Sequence, residues 1–180
     1  MDDYMIWLDL EMSGLDPEQH VILEIACVVT DWDLNIVAEG PDIVIFQPEH
    51  KLASMEQWSR QHHAASGLLQ KVSSSSISCL QAERQIIEFL SNYAEPGKSP
   101  LCGNSVWQDR RFLVRHMPKL EAFFHYRNID VSTIKEIVKR WYPSLPRFEK
   151  QKAHLALNDI KESIRELEYY KNNVFCQRAA

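Results

Sequence analysis

The first fifty residues alternate. Ile6, Leu8 and Leu10 are interleaved with Trp7, Asp9 and Glu11, the period of two by which a strand sends successive side chains to opposite faces. Apolar runs at Val21–Thr30 and Ile36–Gln47 predict two further strands, the second broken by Gly40-Pro41, with turn-rich spacers at 13–17 and 31–35. Three strands joined by short turns predict an antiparallel meander. From residue 77 the spacing becomes helical. Leu80, Ile86, Ile87, Leu90 and Tyr93 form one apolar face that Pro96-Gly97 terminates. The short run Pro100–Gly103 reads as another strand. Ser105 with Gln108 three residues on has the form of a capping box, so a helix is expected to begin near Val106. Val131–Trp141 reads as a helix ended by Pro143. A last helix carries Ala153, Ala156, Leu157, Ile160, Ile164 and Leu167 on one stripe. The serine tract at 73–76 reads as a loop tip. A sheet followed by helices predicts one mixed α/β domain over residues 1–180.

Several carboxylates sit awkwardly in this pattern. Asp9 and Glu11 share a face of a strand that is otherwise almost wholly apolar. Two like charges so placed repel each other, and a central strand offers them little water. A bound cation resolves both difficulties; an edge strand with a solvated acidic face is the alternative. Asp159 lies at the margin of the last helix's apolar stripe, where a charge is either paired, metal-bound or reaching water. Asp109 falls in the first turn of the helix expected after Ser105, where the helix dipole alone would favour it. His154 stands five residues before Asp159. On one continuous helix the two would point about 140° apart, so joint action requires the helix to start after His154. Oxygen ligands of this kind select Mg²⁺ or Mn²⁺ over zinc. A pair of such ions about 3.5–4 Å apart clamps the attacking and leaving oxygens of a phosphodiester, and a histidine is suited to take a proton from water near neutrality.

Composition narrows the classes. A chain of 180 residues, 45% of them hydrophobic, can build a full core without staples. No run approaches the length of a membrane span, and the start Met1-Asp2-Asp3-Tyr4 lacks the basic character of a signal peptide. Cys27, Cys79, Cys102 and Cys176 form no C-x-x-C pair, so they read as free thiols of a cytoplasmic protein rather than a zinc site or disulfide framework. The net charge of -5, with no basic block, argues against a grip on a long polyanion. It leaves room for a ligand with a few phosphates. With five glycines and no G-x-G-x-x-G, P-loop or G-x-S-x-G, the chain lacks the signatures of a dinucleotide-cofactor fold, a nucleoside-triphosphatase and a serine hydrolase.

Three segments in order carry a resemblance: Asp9-Leu-Glu11-Met-Ser-Gly-Leu15, then Cys102-Gly-Asn-Ser-Val-Trp-Gln-Asp109-Arg-Arg-Phe112, then His154-Leu-Ala-Leu-Asn-Asp159. Together they resemble the DEDDh exonuclease superfamily. With His125-Tyr-Arg-Asn-Ile-Asp-Val-Ser-Thr133 they are similar, over essentially the whole chain, to its oligoribonuclease family. The resemblance implies a ribonuclease-H-like α/β fold, a mixed β-sheet flanked by α-helices, forming a single exonuclease domain. It implies that Asp9, Glu11, Asp109 and Asp159 hold two divalent cations, Mg²⁺ or Mn²⁺, and that His154 is the general base. The implied activity is 3'→5' removal of nucleotides from short RNA oligonucleotides bearing a 5'-phosphate, down to dinucleotides, by a homodimer with no membrane association. Leu15 and Trp58 resemble a pair that wedges the bases, core packing being the other reading. His63 resembles a ligand-contacting histidine. Ser105, Arg127 and Ser132 resemble a polar cap over the 5'-phosphate, and Tyr126 a residue that reaches into the partner subunit's site. Asn158 departs from the pattern, standing where many members carry a second acid.

Overall fold

The structure is a computed structural model that describes residues 4–149 and 155–175. The alternating segment forms strand β1 (Met5–Met12), followed by β2 (Ile22–Thr30) and β3 (Ile36–Val44). These three make the expected antiparallel meander. Two short strands, β4 (Leu101–Gly103) and β5 (Asn128–Asp130), add to the other side in parallel, giving the order β3-β2-β1-β4-β5. β1 is therefore the middle strand, and the edge-strand reading of Asp9 and Glu11 is ruled out.

The pleat of β1 divides the molecule into two layers. Its even positions, Ile6, Leu8 and Leu10, join Ile25, Cys27 and Val29 of β2 in a core covered by helix α4 (Cys79–Leu90), α5 (Trp107–His116) and α6 (Pro118–Glu121). Its odd positions, Met5 and Trp7, join Ala26, Val28 and Cys102 against α7 (Val131–Trp141) and α8 (Ala156–Asn173). The Trp7 indole N–H donates to Thr30 Oγ1 at 3.0 Å, satisfying the one polar atom that this burial would strand. Asp9 and Glu11 continue the odd row, so the pleat aims both at the α8 layer.

The structure departs from the sequence reading at several points. Gly40-Pro41 does not break β3. The pair lies between Glu39, opposite Val28, and Asp42, opposite Ala26, as a bulge on an edge strand, where a missing N–H costs no ladder bond. A Cβ on Gly40 would fall 2.4 Å from Cys27 Sγ, so the close approach needs glycine. Helices α1 (Glu49–Leu52), α2 (Gln57–Ala65) and α3 (Leu68–Ser74) occupy a stretch with no visible helical period. Their buried residues are few: none in α1, Ser59 and His63 in α2, Leu68 and Val72 in α3. Ser73 and Ser74, expected in a loop, close α3 and donate back to the Leu69 and Gln70 carbonyls at 3.0 Å each. The capping box lies at Ser78 and Gln81, where both reciprocal bonds form, and not at Ser105 and Gln108. Leu80, expected on the apolar face of α4, is exposed.

Candidate active site

Asp9 and Glu11 leave the middle strand toward α8, and α8 meets them with Asp159 in its first turn. One carboxylate oxygen from each of the three lies within 4.8 Å of the others. All three are half-buried, so their mutual repulsion is poorly screened. Burial pushes the Glu11 carboxyl up to about 8, and Asp159, Glu24 and Asp109 add to the rise. Asp109 comes from the opposite layer, in the first turn of α5, and is buried. Its Oδ1 accepts the Leu10 N–H at 3.0 Å, between the two strand acids. Burial pushes Asp109 up to about 7 against the pull of that bond. The helix dipole alone does not account for Asp109, whose carboxylate is inserted against β1. Hard oxygen donors, converging and resisting ionisation without a counter-charge, fit a divalent cation.

The histidines divide. His154 lies outside the described residues. The backbone of Leu155 is extended (φ −130°, ψ 128°) and α8 begins at Ala156, so the helix starts after His154, as joint action with Asp159 requires. His63, in α2, is buried; its Nε2 lies 2.9 Å from the Met12 carbonyl and its Nδ1 3.8 Å from Glu11 Oε2. It therefore sits directly behind the acid cluster.

A pair of apolar side chains stands at the rim. Leu15 and Trp58 are each 60% exposed, which rules out core packing for both. Their backbones are fixed from beneath. The Leu15 N–H donates to Glu56 Oε1 at 3.3 Å and its carbonyl accepts from Gln108 Nε2 at 2.6 Å. Glu56 is the N-cap residue of α2, so one side chain ties Leu15 to the helix that carries Trp58. Trp58 stacks on His62 with ring centroids 3.8 Å apart. Gly14 precedes Leu15 because a Cβ there would fall 2.5 Å from the His20 ring.

A third group gathers where β4 and β5 end side by side. Ser105, just after β4, has a left-handed backbone (φ 56°). Its N–H donates to Asp130 Oδ1 at 2.9 Å and to Ser132 Oγ at 3.2 Å. This is why Ser105 caps no helix; Gln108 instead reaches Leu15. Tyr126 and Arg127 lie exposed on the approach to β5, the Arg127 guanidinium 5.4 Å from the Tyr126 ring centre. Arg110, the neighbour of Asp109, braces that approach by donating to Glu121 Oε1, Asn128 Oδ1 and the His125 carbonyl at 3.0, 2.6 and 2.9 Å.

Sequence reasoning missed this supporting set. Glu24 is fully buried on β2 opposite Glu11, and its Oε2 accepts the N–H of Ala156, the first residue of α8, at 3.2 Å. Burial pushes Glu24 up, and the Ala156 bond opposes the rise. Glu24 is a lone acid inside an apolar strand, and that incongruity was the one signal available. Glu56, Gln108, Arg110 and Asp130 act across long sequence separations and leave no local pattern.

The sequence model of a family described as exonuclease matches residues 6–167. The oligoribonuclease of Marinobacter nauticus is 59% identical over 174 residues, covering 96% of this chain and 97% of the relative. That of Dichelobacter nodosus is 57% identical over 171 residues, covering 95% and 94%. Among solved structures, the zinc-bound complex of E. coli exonuclease I with single-stranded DNA superposes with a TM-score of 0.67 at 13% identity, covering 97% of this chain and 41% of that one. A product-bound exonuclease I gives 0.70 at 13%, covering 96% and 44%. This chain thus spans less than half of those enzymes, and the likeness to them is one of fold: a ribonuclease-H-like mixed sheet flanked by helices. With relatives matched over nearly their full length, the chain belongs to the oligoribonuclease family of exonucleases.

Proposed function

We propose that the protein is a 3'→5' exoribonuclease that degrades short oligoribonucleotides, dinucleotides above all, to 5'-mononucleotides. The observation that carries this reading is the convergence of Asp9, Glu11 and Asp159 within 4.8 Å, beside Asp109 on the Leu10 N–H, in a chain of this family. Asp9, Glu11, Asp109 and Asp159 would hold two divalent cations, Mg²⁺ or Mn²⁺. Cations held there would supply positive charge against the scissile phosphate and ease deprotonation of the attacking water. The chain's own residues do the remaining work. His154, on the segment leading into α8, takes the proton from water as general base. Leu15 and Trp58, exposed yet anchored, grip the bases, and His63 steadies that end of the site from α2. Ser105, Arg127 and Ser132 form a cap for the 5'-phosphate, Arg127 offering two parallel donors. A pocket closed at that end rewards a terminal phosphate and excludes a longer chain. The exposed Tyr126, 73% accessible, suits a homodimer in which it reaches the partner subunit's site. The described thiols suit a reducing cytoplasm: Cys27, Cys79 and Cys102 are free, and burial pushes Cys27 up to about 12 and Cys79 to about 11.

The direct experiment is hydrolysis of 5'-phosphorylated RNAs of two, seven and twenty nucleotides with Mg²⁺, Mn²⁺ or EDTA, alongside Asp9→Asn. The expected result is rapid, metal-dependent conversion of the dinucleotide to monophosphates, a slow twenty-mer and an inert variant. Preference for the twenty-mer would remove the capped pocket from the reading. Activity in EDTA or in the variant would remove the metal assignment.

A further inference from the structure

The cap serines do not hold themselves in place. Asp130, the last residue of β5 and the N-cap of α7, collects three donors on a single oxygen: the N–H of Ser105 at 2.9 Å, the N–H of Ser132 at 3.0 Å and the Ser132 hydroxyl at 2.6 Å. A carboxylate oxygen has no hydrogen to give, so the Ser132 O–H is the donor in the last bond. Ser132 Oγ in turn accepts the Ser105 N–H. The left-handed backbone of Ser105 is an uncommon conformation for a residue with a Cβ, and it persists where surroundings enforce it. The bond from its N–H to Asp130 is such an enforcement. The same parallel ladder that pairs Gly103 with Asp130 brings the two segments together.

An oxygen anion that takes two backbone N–H groups and a hydroxyl is doing what a phosphate oxygen does in an anion site. We propose that Asp130 is a positioning residue that determines specificity for the 5'-phosphate, holding Ser105 and Ser132 in one rigid arrangement before substrate arrives. The inference rests on the cap reading of those serines given above. Asp130 sits behind the serines and acts through them. Its charge strengthens all three bonds. When a terminal phosphate binds, the Ser132 hydroxyl turns from one anion to the other while Asp130 keeps the Ser105 and Ser132 N–H groups, with no loop to order first. A substrate that ends in a 5'-hydroxyl gains nothing from that arrangement.

The test compares kcat and KM on 5'-phosphorylated and 5'-hydroxyl dinucleotides for the wild type, Asp130→Asn, Asp130→Ser and the pair Ser105→Ala/Ser132→Ala. Asparagine and serine both serve as N-caps, so α7 keeps its start in either variant. Asparagine lacks the charge, and serine lacks the reach to Ser105. The phosphate-over-hydroxyl ratio of kcat/KM is expected to fall roughly tenfold in both, the loss of about one charge-assisted hydrogen bond, with the change carried by KM for the phosphorylated substrate. Adding Asp130→Ser to the serine pair is expected to change the ratio by less than about twofold, because the hydroxyls it positions are gone. Equal losses on both substrates, an unchanged ratio in Asp130→Ser, or a full further fall on the serine-pair background would each overturn the proposal and leave the cap standing. A wild type that does not distinguish the two substrates would overturn the cap and the proposal together.

Discussion

Glu11 is the residue most at odds with its surroundings. Its carboxyl ordinarily titrates at 4.5 and is pushed up to about 8 here, by burial first and then by Asp159, Glu24 and Asp109. Between those values the unfolded chain has released the proton that the folded, metal-free protein still holds. The unfolded state therefore binds fewer protons, and stability falls as pH rises through that window. Asp109, raised from 3.8 to about 7, acts in the same direction over a lower window. The metal-free protein is expected to melt at a lower temperature at pH 8 than at pH 5, and Mg²⁺ is expected to restore more at pH 8. Glu11→Gln removes the charge, so it should flatten the decline and raise the metal-free melting temperature at pH 8 while weakening the response to Mg²⁺. Thermal melts in EDTA across pH would show this; a melting temperature that climbs from pH 5 to pH 8 in both proteins would contradict it. Asp9 and Glu11 were legible from the sequence because two acids in an apolar strand violate its own pattern. Asp109 was legible only through the family resemblance, because an acid in the first turn of a helix needs no further explanation until the helix is seen to insert it against Leu10.

At the scale of elements, the site depends on where α8 starts. Leu155 is not helical, α8 begins at Ala156, and Asp159 follows within one turn. The N-cap Leu155 makes no side-chain bond to the first N–H groups of α8; Glu24 reaches from β2 to take the buried one on Ala156. Glu24→Ala is expected to cost about 1–3 kcal/mol, the usual penalty for leaving a buried donor unpaired, and to weaken Mg²⁺ binding as Asp159 loses its register. Glu24→Gln keeps an acceptor and should lose less on both counts. Chemical denaturation and calorimetric Mg²⁺ titration together test this, and an Ala variant with unaltered stability would remove the capping role. The capping boxes show where sequence reasoning fails at this scale. Ser-x-x-Gln occurs at 78–81 and again at 105–108. The first flanks a solvent-facing helix start and behaves locally. The second sits where the ends of β4 and β5 impose a left-handed serine; tertiary bonds take the Ser105 backbone N–H to Asp130 and Ser132 and the Gln108 side chain to Leu15. Helices α1 to α3 escaped notice for a related reason. They bury too few apolar residues to show a period, and they hold their place through polar anchors such as His63 on Met12.

For the molecule as a whole, the sheet keeps opposing layers in register so that α8 and α5 deliver acids from both sides of one strand. The broad architecture was legible because the two-residue and helical periods are strong in β1, α7 and α8; the long-range supports were not, because Glu24, Arg110 and Asp130 touch partners far away in sequence. The net charge of -5 leaves little general attraction for nucleic acid, so binding of a phosphorylated dinucleotide should draw on local contacts alone. With two phosphates at roughly 0.7 each, the salt slope of log affinity should be no steeper than about -1.4. A slope several times larger would reveal an extended basic track. β4 pairs with β1 only through Ile6 and Trp7. Farther along, at Leu10, the Asp109 carboxylate takes the N–H that a strand neighbour could have received. A proposed metal ligand thus also serves as a piece of sheet. In evolutionary terms position 109 answers two demands: a descendant that abandoned catalysis would remain under selection there for an acceptor long after the chemistry had been lost.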